Sequence, residues 1–316
     1  MIDDRLVAKI AELFYIQGIN QYEIAKKFNF STAKVCRIIK EAKKRDIIEF
    51  KIKKFDRRLL ELENEVEKKY GIREVILYYN SDSRDYSEDI LFDKVGLIAA
   101  DYFKRIVEDD LNIALAWGKT LYNFVKNIRL DKKYKVKIFS TLGGTNLLTP
   151  EYQNNYLVQM LSERLGGSAY LIYLPLIFDN PIEELLQKDN IIEQFLGSTS
   201  KVDYYFHGVG TVSEKARLYP HHGFNHEFLK RLWDKKIVGE IGFNFFDITG
   251  NFIKTEIDGR SIKLDSSELK KIKNKVAIAC GKEKVIPLKG YLNTGLCDVL
   301  ITDSETAFDL IDKPLK

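Results

Sequence analysis

Residues 21–40 read QYEIAKKFNFSTAKVCRIIK, and this stretch decides how the N-terminal part of the chain folds. Ile24, Ala25 and Phe28 form one apolar stripe at helical spacing, and Val35, Ile38 and Ile39 form another. Asn20 and Ser31 stand at N-cap positions, where each side chain can accept a backbone N–H of a first helical turn. Asn29 falls between the two helices, where the turn needs positive φ; after glycine, asparagine adopts it most cheaply. Ala25 is small where the helices would cross. The pattern predicts a helix-turn-helix with Thr32, Ala33, Lys34 and Arg37 outward on the second helix, ready for a major groove. Arg37 suits a bidentate guanine contact. Gln21, Tyr22 and Lys26 suit phosphates, and Ser31, where the second helix begins, is a further DNA-binding candidate. A plain helical hairpin packed on a core would carry the same two stripes.

Charge separates these readings. Residues 1–56 hold 13 Lys and Arg against 8 Asp and Glu, whereas the whole chain carries only +4. The positive charge is therefore concentrated around the hairpin, as a phosphate backbone requires. IIEFKIKK, residues 47–54, reads as a short alternating strand ending in lysines, a wing that would place Lys51 and Lys53 on phosphates. Residues 3–17 read as an amphipathic helix closed by Gly18. Residues 56–71 read as a charged linker helix, too short in its apolar seam for a coiled coil.

From residue 72 to 316 the pattern changes to short apolar runs alternating with helices, and a glycine often stands where a run ends. EVILYY (74–79), NIALAW (112–117), VKIFS (136–140), AYLIYLPL (169–176), YYFHGVG (204–210), KVAIAC (275–280) and DVLITD (298–303) are read as strands. FNFFDITGNFI (243–253) is read as a hairpin turning at Thr249-Gly250. Repeated strand, glycine and helix units predict an α/β domain with a mostly parallel, Rossmann-like sheet. Ligands in such sheets bind beyond the carboxyl ends of the strands. That places Gly118, Lys119, Thr120, Gly144, Gly208, Asp247, Arg260, Gly281, Lys284 and Asp303 among the candidate binding residues. Gly118-Lys119-Thr120 suits a phosphate, but the Walker spacing of a nucleotide P-loop is missing. Taken singly, each glycine also fits an ordinary tight turn.

Other signals are weak. His222 and His226 have helical metal-ligand spacing, yet Gly223 interrupts and Pro220 marks a loop, so no metal and no cofactor are expected. His207 reads as a satisfied core or pocket residue. Three dispersed cysteines, Cys36, Cys280 and Cys297, and no long apolar run predict a reducing, cytoplasmic location without a membrane partner.

Several of these segments together resemble the SorC-type sugar-binding transcriptional regulators, relatives of the deoxyribonucleoside and central glycolytic gene regulators. The resemblance rests on residues 14–52 and on AWGKTL (116–121), LPLI (174–177), GVG (208–210) and VGEIGFNFFDITG (238–250). It rests also on Arg260 and on residues 276–307. It implies an effector domain similar to sugar-phosphate isomerases. It also implies a homo-oligomeric regulator, dimeric or tetrameric, whose partners are operator DNA and a phosphorylated sugar. The chain departs from the family at Thr32, often Arg; at Cys36, often Ser; and at Cys280, often a second glycine. Lys119 fills a variable position. The alternative function is a sugar-phosphate isomerase with an appended N-terminal domain, using Asp247 or Asp303 as its base.

Overall fold

A computed structural model describes residues 2–50, 56–79, 87–145, 149–181, 201–214 and 226–312, which fall into two compact units divided at Arg57 and Arg58. The first unit contains α1 (Asp4–Tyr15), α2 (Gln21–Phe28) and α3 (Thr32–Lys44). Asn20 Oδ1 accepts Glu23 N–H at 3.0 Å and Ser31 Oγ accepts Lys34 N–H at 3.2 Å, so both expected N-caps form. Asn29 takes φ 53°, and Phe30 N–H reaches back to the Ala25 carbonyl at 2.9 Å, closing α2. Val7, Ile10, Ile24, Val35 and Ile38 are fully buried in this unit's own core. Arg45 joins the ends of α1 and α3 by bonding Asp4 Oδ1 at 3.0 Å and Glu41 Oε2 at 3.1 Å.

Residues 47–50 form no strand, and 51–55, with Lys51 and Lys53, lie outside the described residues. Asp46 at φ 51° turns the chain, Ile47 N–H caps the Ala42 carbonyl at 2.9 Å, and Ile47 and Ile48 pack onto the helical core. Their apolar side chains are satisfied there without a strand partner.

The second unit opens with α4 (Arg57–Tyr70), which turns at Gly71 and runs back along β1 (Glu74–Tyr78). β1 is an edge strand, and two of its backbone donors are capped: Glu67 Oε1 accepts Val75 N–H at 2.9 Å and Glu63 Oε1 accepts Leu77 N–H at 3.0 Å. One helical turn, about 5.4 Å, nearly matches two strand residues, about 6.6 Å, so glutamates four apart reach donors two apart. Burial pushes the Glu63 carboxyl up in pKa, against the pull of that Leu77 N–H. α5 (Glu88–Ile106), β2 (Asn112–Leu115), α6 (Lys119–Asn127), β3 (Lys137–Ser140), α7 (Asn154–Leu165), β4 (Ser168–Tyr170) and β5 (Tyr204–His207) follow. Next come β6 (Gly210–Thr211), α8 (His226–Asp234), β7 (Ile237–Ile241), β8 (Asn244–Asp247) and α9 (Ser266–Lys271). β9 (Asn274–Ile278), α10 (Val285–Asn293), β10 (Val299–Asp303) and α11 (Ser304–Asp312) complete the unit.

Seven strands make one parallel sheet in the order β1-β10-β9-β5-β2-β3-β4. Ile113, Leu115, Phe206, Ile278 and Ile301 are fully buried, the near-continuous apolar pattern of strands covered on both faces. Phe206 stacks on Phe124 at 4.9 Å and meets Phe103 edge-on at 5.6 Å, tying the sheet's middle to α5 and α6. Gly96 lets those helices touch, because a Cβ there would lie 2.6 Å from the Asn123 carbonyl carbon.

Two strand expectations change. Residues 169–176 pair with β3 only through β4; beyond it Pro175 bridges Gly144 and Ile177 bridges Ser261, so the apolar run leaves the sheet to pack elsewhere. The segment 243–253 returns through a single Phe246–Phe252 bridge, and the fuller hairpin lies earlier, β7 to β8, turning at Gly242-Phe243. With β6 these strands form a separate antiparallel sheet of three.

Candidate functional site

Chain order reverses at the centre of the large sheet. From β2 the chain steps outward to β3 and β4, and then returns as β5 on the other side of β2. A crevice opens beyond the carboxyl ends of two such strands because their following loops diverge to opposite sides. A cavity of about 470 Å³ lies there. Ala116 to Thr120 contribute the wall after β2, Gly208 to Thr211 the wall after β5, and Glu283 and Lys284 the wall after β9. Glu240 and Gly242 close it from the small sheet, with Glu88, Phe92 and Tyr152 at other edges.

Two walls are built alike. IALAWGKT (113–120) and VAIACGKE (276–283) each run from a strand through a glycine into a helical turn. Gly118 has φ 111° and ψ 168°, and Gly281 has φ 100° and ψ 151°. That region is essentially closed to residues with a Cβ, costing about 1–3 kcal/mol. Each glycine swings the chain so that a helical first turn borders the cavity, where backbone donors and the helix dipole favour an anion.

The charged groups differ in how free they are. Lys119 pairs with the Asp89 carboxylate, and its ammonium lies 4.5 Å from the centre of the Phe92 ring, so α5 holds it at the rim. Lys284 is half-buried, and among the described residues no hydrogen bond or ion pair engages its ammonium. Burial lowers its pKa, with Glu283 and Glu240 pulling the other way. Glu240 is 6% exposed; burial pushes its carboxyl up, while the Phe243 N–H, at 2.7 Å from Oε2, and Lys284 oppose that. The cavity thus sets a cation with no hydrogen bond or ion pair among the described residues near a buried carboxyl and two helix starts.

The turn beside Glu240 is held from both sides. Gly242 and Phe243 have φ 51° and 63°, a two-residue hairpin turn with a bulky residue where asparagine or glycine is usual. Glu240 binds the Phe243 N–H, and buried Lys263 donates to the Phe243 carbonyl at 2.8 Å and to Asp258 Oδ1 at 2.6 Å. The Phe243 ring meets Trp117, a cavity residue, edge-on at 5.3 Å.

Of the residues singled out in the sequence, Gly118, Lys119, Thr120, Gly208 and Lys284 line the cavity. The other five stand behind or away from it. The Gly281 N–H donates to Asp303 Oδ2 at 3.0 Å and Thr306 Oγ1 at 3.1 Å, so Gly281 and Asp303 brace the turn from beneath. Gly144 exchanges backbone hydrogen bonds with Leu174 and Leu176. Asp247 gathers Thr249 and Asn251; its slight burial pushes the carboxyl up, but those bonds outweigh it and hold the pKa low. Arg260 donates to the carbonyls of Glu256 and Asp179. The two carboxylates an isomerase was expected to use are therefore committed to local turns, outside the cavity. Glu240 and Trp117 went unnoticed in the sequence as cavity residues. His221 and His222 lie outside the described residues, and His226 Nδ1 pairs with Glu214 at 3.0 Å. Among the described residues no three His, Cys, Asp or Glu side chains are grouped to hold a metal ion, and no helix is long and apolar enough to cross a membrane.

His207 backs the cavity wall. It is fully buried, its Nδ1–H donates to the Gly208 carbonyl at 3.0 Å, and Nε2 accepts the Tyr291 hydroxyl at 2.9 Å. Burial lowers its pKa from 6.5 to about 4. The folded state therefore binds fewer protons than the unfolded chain between those values. The neutral ring's contribution is full above about pH 6.5 and declines as pH falls, by about 3 kcal/mol once pH 4 is reached. Urea unfolding of His207→Gln should show lower stability at pH 7.5 and a flatter pH dependence between 6.5 and 4. An unchanged slope would mean that another group titrates there.

Comparison with known proteins adds to this geometry. Residues 56–312 match the family model described as "Putative sugar-binding domain". The chain is similar to the deoxyribonucleoside regulator of Bacillus subtilis, 28% identical over 98% of this chain and 97% of the relative. It is also similar to the sorbitol operon regulator of Klebsiella pneumoniae, 24% identical over 96% and 97%. The crystal structure of that full-length regulator superposes with a TM-score of 0.75, covering 98% of this chain and 99% of the other.

Proposed function

We propose, from the premise that this chain belongs to the SorC-type sugar-binding transcriptional regulators, that a phosphorylated sugar occupies the Gly118–Lys284 cavity and thereby sets its affinity for an operator. The protein is a DNA-binding regulator controlled by a sugar effector, in keeping with its sugar-binding domain and with relatives named as deoxyribonucleoside and sorbitol operon regulators. In the finer reading, α2 and α3 form the helix-turn-helix and α3 enters the major groove. Thr32, Ala33 and Arg37 are exposed on its outer face. Lys34 is partly drawn back, with its ammonium 3.7 Å from the centre of the Phe30 ring, which leaves Arg37 as the long cation best placed for a base edge. Gln21 and Tyr22 border the same helix pair, and Tyr22 is 71% exposed. The phosphate sits on the first turns after Gly118 and Gly281 with Lys284 as its cation, and sugar hydroxyls meet Glu240. The cleft is used as in sugar-phosphate isomerases, for binding, in a homo-oligomer of two or four chains.

The observation that carries this reading is Lys284, a half-buried ammonium without a partner among the described residues at a cavity bordered by two helix starts. Thermal shift against paired phosphorylated and unphosphorylated sugars tests it. A ligand at one hundred times its Kd stabilises the fold by about 2.7 kcal/mol, several degrees for a domain of this size. At least one phosphorylated sugar should give that shift, its unphosphorylated partner should give much less, and Lys284→Met should abolish it. Equal shifts in the wild type and Lys284→Met would remove the cavity from the account.

A further inference from the structure

We infer that α11 carries the state of the cavity to α4, the helix through which the chain leaves the second unit for the first. The inference rests on the proposed effector site and concerns how that site is read out. α11 is gripped at both ends by groups of opposite kind. At its start, Asp303 Oδ1 accepts Thr306 N–H at 2.9 Å and Oδ2 accepts the Thr306 hydroxyl at 2.6 Å. The same Oδ2 and Thr306 Oγ1 take the Gly281 N–H, and Gly281 opens the turn that places Glu283 and Lys284 on the cavity. Asp303 and Thr306 are buried, so this junction is shielded from competing water.

At its far end, the carbonyls of Leu310 and Ile311 accept from Lys69 Nζ at 2.8 and 3.2 Å, and the Leu310 carbonyl also accepts the Tyr70 hydroxyl at 3.1 Å. A cation on the last carbonyls of a helix is favoured by the helix dipole. Between the grips, Ala307 and Leu310 are fully buried, so nine helical residues act as a stiff rod of about 13 Å. α4 is also attached by the Glu63 and Glu67 caps on β1, by the fully buried Val66, and by Leu59 and Leu62 packed against the same core.

A ligand that draws Lys284 and its turn toward the cavity pulls on Gly281, and Gly281 is bonded to the first turn of α11. The last turn of α11 is bonded to α4. A small displacement at the turn therefore reaches Lys69 without crossing the sheet. Asp303, Thr306 and Lys69 are positioning residues in this scheme and need not touch a ligand.

Hydrogen exchange on the full chain tests it, read on peptides covering 281–284 and 57–70. Thr306→Val keeps the side-chain shape and removes the hydroxyl under Gly281. It should speed exchange across α4 by about tenfold or more, and this effect should shrink below about threefold in a Lys69→Met background. Additive effects of the two changes would overturn the relay, because distant, independent sites add. Inorganic phosphate serves as cavity probe in the same experiment. Protection of 281–284 together with α4 in the wild type, and of 281–284 alone in Lys69→Met, supports the relay; protection of 281–284 without any response in wild-type α4 overturns it. If phosphate protects neither segment, the result counts against the anion site itself, and the Thr306/Lys69 cycle still decides the relay.

Discussion

Gly210→Ala should abolish the response to a sugar phosphate, lowering its affinity at least about tenfold while leaving DNA binding intact. A Cβ at residue 210 would lie 1.9 Å from Glu240 Oε1 and 2.7 Å from its Cδ. Gly210 and Glu240 are register partners of β6 and β7, so the backbones cannot part without breaking the small sheet. Glu240 is buried, and the way open to its side chain leads into the cavity. Moving it there removes the acceptor of the Phe243 N–H, in a turn where Phe243 already has positive φ. Overpacking of this kind costs about 1–3 kcal/mol, and loss of the turn's hydrogen bond adds to it. Calorimetric titration and urea unfolding would record both effects. Glu240→Gln is the control: it keeps the shape and an acceptor for Phe243, so the fold should hold while hydroxyl recognition weakens. Normal ligand affinity in Gly210→Ala would show that Glu240 does not shape the site.

Arg37→Ala should weaken operator binding by about 1–3 kcal/mol, roughly 5- to 150-fold, and relax discrimination at one base pair. Arg37 is exposed, while Val35, Ile38 and Ile39 beside it fill the core, so the helix itself should survive. Lys26→Ala offers the contrast. A phosphate contact carries no base information, so its loss should weaken all sequences alike and reduce the salt slope by about one. Fluorescence anisotropy at several salt concentrations, with operator and scrambled duplexes, separates the two behaviours. If Arg37→Ala lowered both duplexes equally, Arg37 would be a phosphate contact.

Local chemistry made the first unit legible. Asn20, Asn29 and Ser31 act through short-range rules that need no tertiary context. The strand, glycine and helix units were equally plain, and with them Gly118, Gly208 and Lys284. What escaped depended on partners distant in sequence. Lys119 belongs to a turn that suits a phosphate, yet Asp89, thirty residues earlier, holds its ammonium. Asp247 and Asp303 stand at strand ends, as ligand-binding carboxylates do, but both serve as caps for the turns that follow them. Glu240 was invisible because its significance requires Gly210 beside it and a turn at Gly242-Phe243 whose second residue is phenylalanine, where asparagine or glycine is usual. The sequence IIEFKIKK, residues 47–54, alternates as a strand would, but the helical core claims Ile47 and Ile48 first.

The account stands on a coupling between two sites, and a coupling is measured as a ratio of affinities. The most direct test is the Kd of the full chain for a fragment of its own upstream DNA, with and without the phosphorylated sugar that gives the largest thermal shift. The prediction is specific, salt-sensitive binding that the sugar changes at least about tenfold in the wild type and leaves unchanged in Lys284→Met. Specific DNA binding that stays the same at saturating sugar, in a protein shown to hold that sugar, would contradict it.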